Sequence, residues 1–308
     1  MADISHWETV MSNVRVGTKA GLLAAIMSNF FLGFSSLYWK ALGEIPSISL
    51  LGYRVFFSML CVTLILLARK ELKFLLFGLE LRDLALHGVA ALLVACNWGV
   101  FIWSSIHGRV FESGLGYLIA PILGVGLGVI FYKEYISFFR GVIVFFVVLS
   151  VFFLIFRVPG LDFRVYLSIG VTWGMYTWLK KMARLDAMSG LFIESFMLTF
   201  IAVALISYFD GGFGIPEGLG IFRGSLLLSC GLVSLVPLAL FAFAAKHLPL
   251  SVMGLLQFVL PLTQFCVASV FYGQSFTAEI FLAFSIIFAG MLFIVLELPI
   301  KKLLSAKG

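Results

Sequence analysis

Two ionisable residues, Arg54 and Glu194, stand well inside apolar runs of this 308-residue chain. A charge in hydrocarbon needs a counter-charge, a water-filled path or a bound solute, so both are candidates for gating, coupling or recognition. Around them, amide and aromatic residues recur at helical spacing. Asn97, Phe101 and Ser104 stand at i, i+4 and i+7, as do Gln257, Pro261 and Gln264, and as do Tyr117, Pro121 and Gly124. Trp173, Gly174, Tyr176 and Thr177 form another group, and Asn29, Gly33 and Ser36 a further one. Aromatic walls with a few amides and hydroxyls suit an amphipathic organic solute better than an inorganic ion. The candidate substrate-binding residues are therefore Asn97, Phe101, Tyr117, Trp173, Tyr176, Gln257, Gln264 and Glu194. The carboxylate of Glu194 would receive a cationic cargo or a proton. The competing reading is ordinary helix packing, with aromatics facing lipid.

Arg54, Glu194 and Glu112 are the candidate gating or coupling residues. Arg54 is expected to meet Glu112 or Glu44 near one mouth, and Glu194 to meet Lys181, Arg184 or Lys246 near the other. Such pairs either break and remake as gates or neutralise charge statically at each interface. Pro121 and Pro261 each remove a backbone donor near mid-span, which predicts a kink and a freed carbonyl. His107 and His247 fall at span ends, a position for interfacial residues rather than relays.

Catalytic motifs are missing: there is no HExxH, GxSxG or Walker A, and no cluster of His with carboxylates. Cys61, Cys96, Cys230 and Cys266 all lie inside apolar runs, which argues against disulfides and against a zinc site. The sequence calls for no metal and no cofactor, and without an ATP-binding motif any driving energy comes from a gradient or from exchange.

These side chains must be carried by membrane helices. The chain is 62% hydrophobic and only 12% charged, with a mean hydropathy of +1.13, and hydrocarbon thickness asks for about 20 apolar residues per crossing. Apolar runs bounded by charge or turn clusters predict spans near 18–40, 47–68, 84–106, 112–132, 138–156, 163–181, 189–209, 224–245, 250–272 and 278–298. Residues 1–17, polar and mixed in charge, read as a cytoplasmic interfacial segment with Trp7, Val10, Met11 and Val14 on one face. Residues 299–308 read as a basic cytoplasmic tail. With the N-terminus inside, fifteen of the 21 Lys and Arg fall in inner segments, whereas the outer ones hold Lys40, Arg109, Arg157, Arg164 and Arg223. This bias predicts that both termini are cytoplasmic. The net charge of +6 is explained by basic loops beside an anionic leaflet, so no nucleic-acid partner is expected.

The second half repeats the first at an offset of 140 residues. Placing Pro121 on Pro261 aligns Gly114 with Gly254, Leu115 with Leu255, Phe131 with Phe271 and Tyr132 with Tyr272. Nearly the same offset relates Gly33 to Gly174, Ser36 to Thr177 and Lys40 to Lys181, and the full offset relates Arg54 to Glu194. Five spans per half would turn each half upside down relative to the other. The expected fold is an all-α integral membrane protein of ten transmembrane helices in two inverted five-helix repeats, 18–157 and 160–298. Gly124 and Gly128 form a GxxxG pair, read as close helix contact, so the chain is expected as a monomer or weak homodimer.

Residues 97–134, from Asn-Trp-Gly-Val to Phe-Tyr-Lys-Glu, and 255–274, Leu-Leu-Gln-Phe to Phe-Tyr-Gly-Gln, resemble the paired motifs of the EamA-type drug/metabolite transporter superfamily. Within it, Asn97-Trp98, the run Glu112 to Tyr117 and Gly52-Tyr53-Arg54-Val55 resemble the RarD-type branch, the chloramphenicol-sensitivity proteins. The resemblance covers about residues 18–298 and implies a central cavity lined mainly by spans one, three, four, six, eight and nine. The family's acidic residue after span four is kept as Glu134, whereas after span nine Gln274 replaces it, which weighs against a coupling role for that pair. The expected function is secondary transport of a small amphipathic metabolite across the bacterial inner membrane. A zwitterionic or cationic cargo is favoured, such as an amino acid or an S-adenosylmethionine- or S-adenosylhomocysteine-like compound. The alternatives are a drug exporter of the chloramphenicol-sensitivity type and, from another class, a gated pore.

Overall fold

Long apolar runs fold as helices in a membrane because only a helix satisfies its backbone polar groups within one segment. A computed structural model describes residues 2–134, 136, 138–208 and 218–290, and their side chains except at 2–18, 139, 140, 205–208 and 251. Among the described residues every regular element is helical: α1 Ala2–Ala41, α2 Ser47–Ala68, α3 Leu72–Phe77, α4 Leu81–Ile106, α5 Val110–Tyr132, α6 Phe138–Arg157, α7 Phe163–Met182, α8 Ala187–Tyr208, α9 Gly220–His247, α10 Leu250–Leu256, α11 Val259–Tyr272 and α12 Ala278–Gly290.

Seven helical stretches among the described residues are long and apolar enough to cross a bilayer, against the ten spans expected. They lie in α1, α2, α4, α5, α8 and α9, with Val252–Tyr272 spanning α10 and α11. α6 and α12 contribute shorter apolar stretches, Gly141–Arg157 and Ala278–Gly290. α7 is 20 residues long but carries Arg164, Lys180 and Lys181, which dilute its apolar character. The interfacial face expected at 1–17 is made of side chains outside those described, although the backbone of α1 continues unbroken from residue 2 into the first span. The basic tail, 299–308, also lies outside the described residues.

Polarity is distributed as lipid solvation requires. Phe145, Phe152 and Phe156 on α6 and Leu60, Leu64 and Leu67 on α2 face outward, while Asn97, Ser104, Thr177, Lys180, Glu194 and Gln264 are buried between helices. Small residues set the closest approaches. A Cβ added at Gly33 would lie 2.6 Å from the Thr263 Cβ and 2.9 Å from the Leu260 carbonyl oxygen, so α1 and α11 touch backbone to backbone. At Gly174 it would lie 3.0 Å from the Leu123 Cβ and 3.3 Å from the Ala120 carbonyl oxygen, where α7 crosses α5. Gly114 faces Gln264 and the Pro261 carbonyl; Gly254 faces the Pro121 carbonyl and Val125. Gly124 therefore spends its small size against Gly254 of the same chain.

The two prolines act differently. Pro121 sits inside an unbroken α5, whereas the helix stops before Pro261, leaving Gln257 and Phe258 between α10 and α11. Pro261 cannot donate to the Gln257 carbonyl four residues back, and the Leu260 amide takes that carbonyl instead at 3.1 Å, tightening the turn.

Polar contacts tie both ends of the bundle. At one end the Tyr272 hydroxyl donates to the carbonyls of Ser36 (3.1 Å) and Ser105 (3.0 Å), Lys40 donates to the Phe271 carbonyl, and the Gln274 amide donates to Gly108. At the other, Glu134 accepts from the Leu250 amide, Lys181 donates to the Leu248 carbonyl, and Lys246 donates to the Leu185 carbonyl. There Asp186 accepts from the backbone of Met188 and Ser189 at the start of α8. Burial pushes its carboxyl up, but these hydrogen bonds outweigh it and hold the group below the usual carboxylate range.

Candidate functional site

Asn97 organises the middle of the helix bundle. Its amide nitrogen donates to the Ile169 carbonyl (3.2 Å) and the Thr172 hydroxyl (3.1 Å) on α7, and its carbonyl oxygen accepts from the Tyr117 hydroxyl (2.9 Å) on α5. A buried amide with these partners locks α4, α5 and α7 together. Tyr117 meets Phe101 and Trp173 edge-on, with ring centres 5.9 and 6.0 Å away. Trp173 stacks on Tyr176 at 5.4 Å and packs against Phe241 of α9 at 4.8 Å. The Tyr176 hydroxyl then donates to Glu194 at 3.0 Å. Asn97, Phe101, Tyr117, Trp173, Tyr176 and Glu194 thus form one connected chain of side chains running across α4, α5, α7 and α8.

Gln257 and Gln264 stand outside that chain of contacts. The Gln257 amide reaches back to Met253 of its own segment at 3.5 Å, and Gln264 accepts from the Ser113 hydroxyl at 3.2 Å, where α11 packs on α5. Both keep a buried polar atom without a partner, Oε1 of Gln257 and Nε2 of Gln264. Glu112 lies at the start of α5 and takes Arg109, its neighbour one helical turn back, at 3.2 Å.

The charge pairings differ from those expected. Glu194 meets Lys180 at 2.8 Å and Nδ1 of His87 at 2.7 Å, and all three side chains are buried. Lys181, Arg184 and Lys246 were the expected partners, but each is spent elsewhere: Lys181 on Leu248, Lys246 on Leu185, and Arg184 on Asp83 (2.5 Å) and Glu80 (3.1 Å). The reason is rotational phase. Lys180 shares the inward face of α7 with Tyr176, four residues earlier, whereas Lys181 is turned about 100° away. His87 was not singled out by the sequence reading. Its signal was present: a histidine inside an apolar run at the start of a span, one helical turn beyond Asp83.

Arg54 meets neither Glu112 nor Glu44. Glu44 pairs with Arg223 at 2.5 Å, at the rim of the bundle. The Arg54 guanidinium instead lies 3.7 Å from the ring centre of Trp98 and 5.0 Å from that of Trp39. Among the described residues it has no carboxylate partner, and its Nε and Nη1 have no hydrogen-bond acceptor. Arg54 enters the bundle at its second turn, because α2 starts at Ser47, too deep for its guanidinium to reach the carboxylates at the helix ends.

Among the described residues no group of three or more His, Cys, Asp or Glu is placed to hold a metal ion. The arrangement offers aromatic faces, amides, one compensated carboxylate and one guanidinium with no carboxylate partner among the described residues.

No family model matches the chain. It is 31% identical over 284 residues to an uncharacterized transporter, YojE, of Bacillus subtilis, covering 89% of this chain and 93% of that one. It is 32% identical over 276 residues to an uncharacterized transporter of Vibrio cholerae, covering 89% and 91%. To the protein RarD of Escherichia coli it is 26% identical over 282 residues, covering 91% and 95%. A solved protein crystal structure shares the fold at a TM-score of 0.63 and 16% identity, covering 91% of this chain and 98% of that one. Apolar helices enclosing buried polar groups, and near full-length similarity to transporters, describe a multi-pass membrane transport protein, and the chain belongs to the RarD-like branch of the EamA-type drug/metabolite transporters.

Proposed function

We propose that this protein is a secondary carrier of a small amphipathic organic metabolite, working by alternating access between two inverted five-helix repeats, 18–157 and 160–298. The observation that carries this reading is a contact made twice. Gly33 on α1 rests against Leu260 and Thr263; Gly174 on α7 rests against Ala120 and Leu123. Within one residue these are the same contact with the halves exchanged at the 140-residue offset. The same exchange relates Gly114 facing the Pro261 carbonyl to Gly254 facing the Pro121 carbonyl. To within two residues it also relates Gln274, clipped to Gly108, to Glu134, clipped to Leu250. Two equivalent halves in contact can exchange conformations, and that exchange opens the site to one side and then the other.

In this reading the aromatic and amide side chains from Asn97 to Tyr176 form the wall facing the solute, Gln257 stands at the hinge of α10 and α11, and Gln264 stands two turns further on within α11. The contacts of Tyr272 with Ser36 and Ser105 close the outer end. The cluster of Glu194, Lys180 and His87, with the Arg184 pairs, closes the inner end. The protein sits in the bacterial inner membrane with both termini in the cytoplasm, as the basic bias of the inner loops favours.

Radiolabel counterflow in proteoliposomes tests the carrier reading. Vesicles preloaded with a pool of amino acids, nucleosides and adenosyl compounds should transiently accumulate a labelled member of that pool above equilibrium. Flux that equilibrates without overshoot, at any preload, would indicate a gated pore instead.

A further inference from the structure

Glu194 and Arg54 are separated by 140 residues, one in each half, yet their surroundings are opposite. The carboxylate is spent on an ammonium, an imidazole and a phenol. The guanidinium of Arg54, a residue 2% exposed, lies against two ring faces, and its Nε and Nη1 have no acceptor. Attraction to the Trp98 and Trp39 faces offsets only part of the loss of water around a buried cation.

Several buried donors beside Arg54 are unspent, and the Ser58 hydroxyl, one turn further along α2, is unpartnered as well. The indole N–H groups of Trp39 and Trp98, which flank it, and of Trp173, which packs on Tyr117, are buried without an acceptor, as are Nε and Nη1 of Arg54. The Tyr117 and Tyr38 hydroxyls and the Cys230 thiol lie within electrostatic range of the guanidinium; with their protons given to Asn97 and to the Leu226 carbonyl, the two hydroxyls have none left to donate to an anion. Indole and guanidinium nitrogens can only donate. Helices α1, α2, α4, α5 and α9, drawn from both halves of the chain, supply these groups or lie beside them. A surplus of unspent donors around an unpaired cation, walled by aromatic rings, is complementary to an oxyanion on an apolar body.

We propose that Arg54 is the anion subsite of the transport site and that the cargo carries a carboxylate, which the guanidinium takes up above the Trp98 ring while the apolar part of the cargo lies along Tyr117, Phe101 and Trp173. This rests on the carrier reading for its meaning, but not for its test. Glu194, already compensated by Lys180, then has no part in recognising a cargo cation.

The test is binding to the purified full-length protein in detergent, read by thermal shift and by tryptophan fluorescence. The probes are matched sets: phenylacetate, phenylacetamide and phenethylamine; phenylalanine and its amide; leucine and its amide; and sulfate and phosphate as bodiless anions. At least one carboxylate should bind tenfold or more tightly than its amide and its amine. That preference should vanish in Arg54→Gln and survive weakened in Arg54→Lys. Should Arg54→Gln fail to fold, the wild-type ratio of carboxylate to amide decides by itself. Binding of amides or amines as tight as that of carboxylates, a set in which no carboxylate binds, or sulfate binding as tightly as the best carboxylate would each overturn the subsite. Counterflow keeps the two readings apart: carboxylate binding without counterflow removes the carrier, whereas counterflow of a neutral or purely cationic solute removes the subsite.

Discussion

The Lys180 ammonium stands 2.8 Å from the Glu194 carboxylate, and both side chains are only 2% exposed. His87 at 2.7 Å and Tyr176 at 3.0 Å complete the carboxylate's contacts. The cluster joins α4, α7 and α8 through polar bonds in a region that lipid surrounds. Removing one member of a buried pair costs more than removing both, because the survivor is left uncompensated.

Lys180→Met should therefore destabilise the protein by about 3–5 kcal/mol, and Lys180→Met combined with Glu194→Gln should recover a large part of that loss. Unfolding in detergent, followed by circular dichroism, measures both. A double variant no more stable than Lys180→Met would mean that the pair is not coupled.

Glu194→Gln alone separates two roles. If the carboxylate only ties helices together, the variant loses stability and keeps the pH dependence of transport. If it carries a proton or a cationic cargo, uptake of that cargo should be lost while folded protein remains in the membrane. Uptake kinetics measured across pH in this variant distinguish them, and the compensated geometry favours the first.

Gly33→Ala and Gly174→Ala test the twinned contact. The added Cβ meets atoms at 2.6 Å in the first and 3.0 Å in the second, with a backbone carbonyl oxygen close by in both. Overpacking of this kind costs about 1–3 kcal/mol. Both variants should lose stability, Gly33→Ala more, and on the carrier reading both should slow counterflow, since each crowds a contact between the proposed halves. Unchanged melting temperature in both would contradict the tight crossing.

Tyr272→Phe removes the hydroxyl that bonds Ser36 and Ser105 while keeping the ring. The one hydroxyl proton is shared between the two carbonyls, a contact of about 1 kcal/mol, so on the carrier reading the variant should populate the outward-open form more. A cysteine placed at the buried Ser104 should react several-fold faster with an external thiol reagent in this background. An equal rate would show that other contacts, such as Lys40 to Phe271, suffice to keep the end closed.

Gln257→Leu should raise the half-saturation concentration of the cargo if the unpartnered Oε1 faces the transport path. An unchanged value would assign this residue to the turn between α10 and α11 alone.

Helix positions were legible in the sequence because hydrocarbon imposes them locally. A run such as 47–68 has no other way to satisfy its backbone, and the helix found, Ser47–Ala68, has the same bounds. Spans 112–132 and 163–181 shift by no more than two residues for the same reason. The exception was local too: a proline at 261 does not announce whether the helix runs through it, as at 121, or breaks one turn before it, as at Gln257 and Phe258. That the candidate site's side chains could meet was legible where aromatic and amide residues share a helical face, as Asn97 and Phe101 do on α4 or Trp173 and Tyr176 on α7. What only the tertiary structure decided was which groups meet. Glu194 faces Lys180 rather than Lys181 because one residue turns a side chain by about 100°, and Arg54, well inside α2, faces Trp39 of α1 and Trp98 of α4 rather than a carboxylate at a helix end. Apolar length is a property of one segment, readable in one dimension; the partner of a buried charge depends on the rotation of several helices about their axes, which packing alone sets.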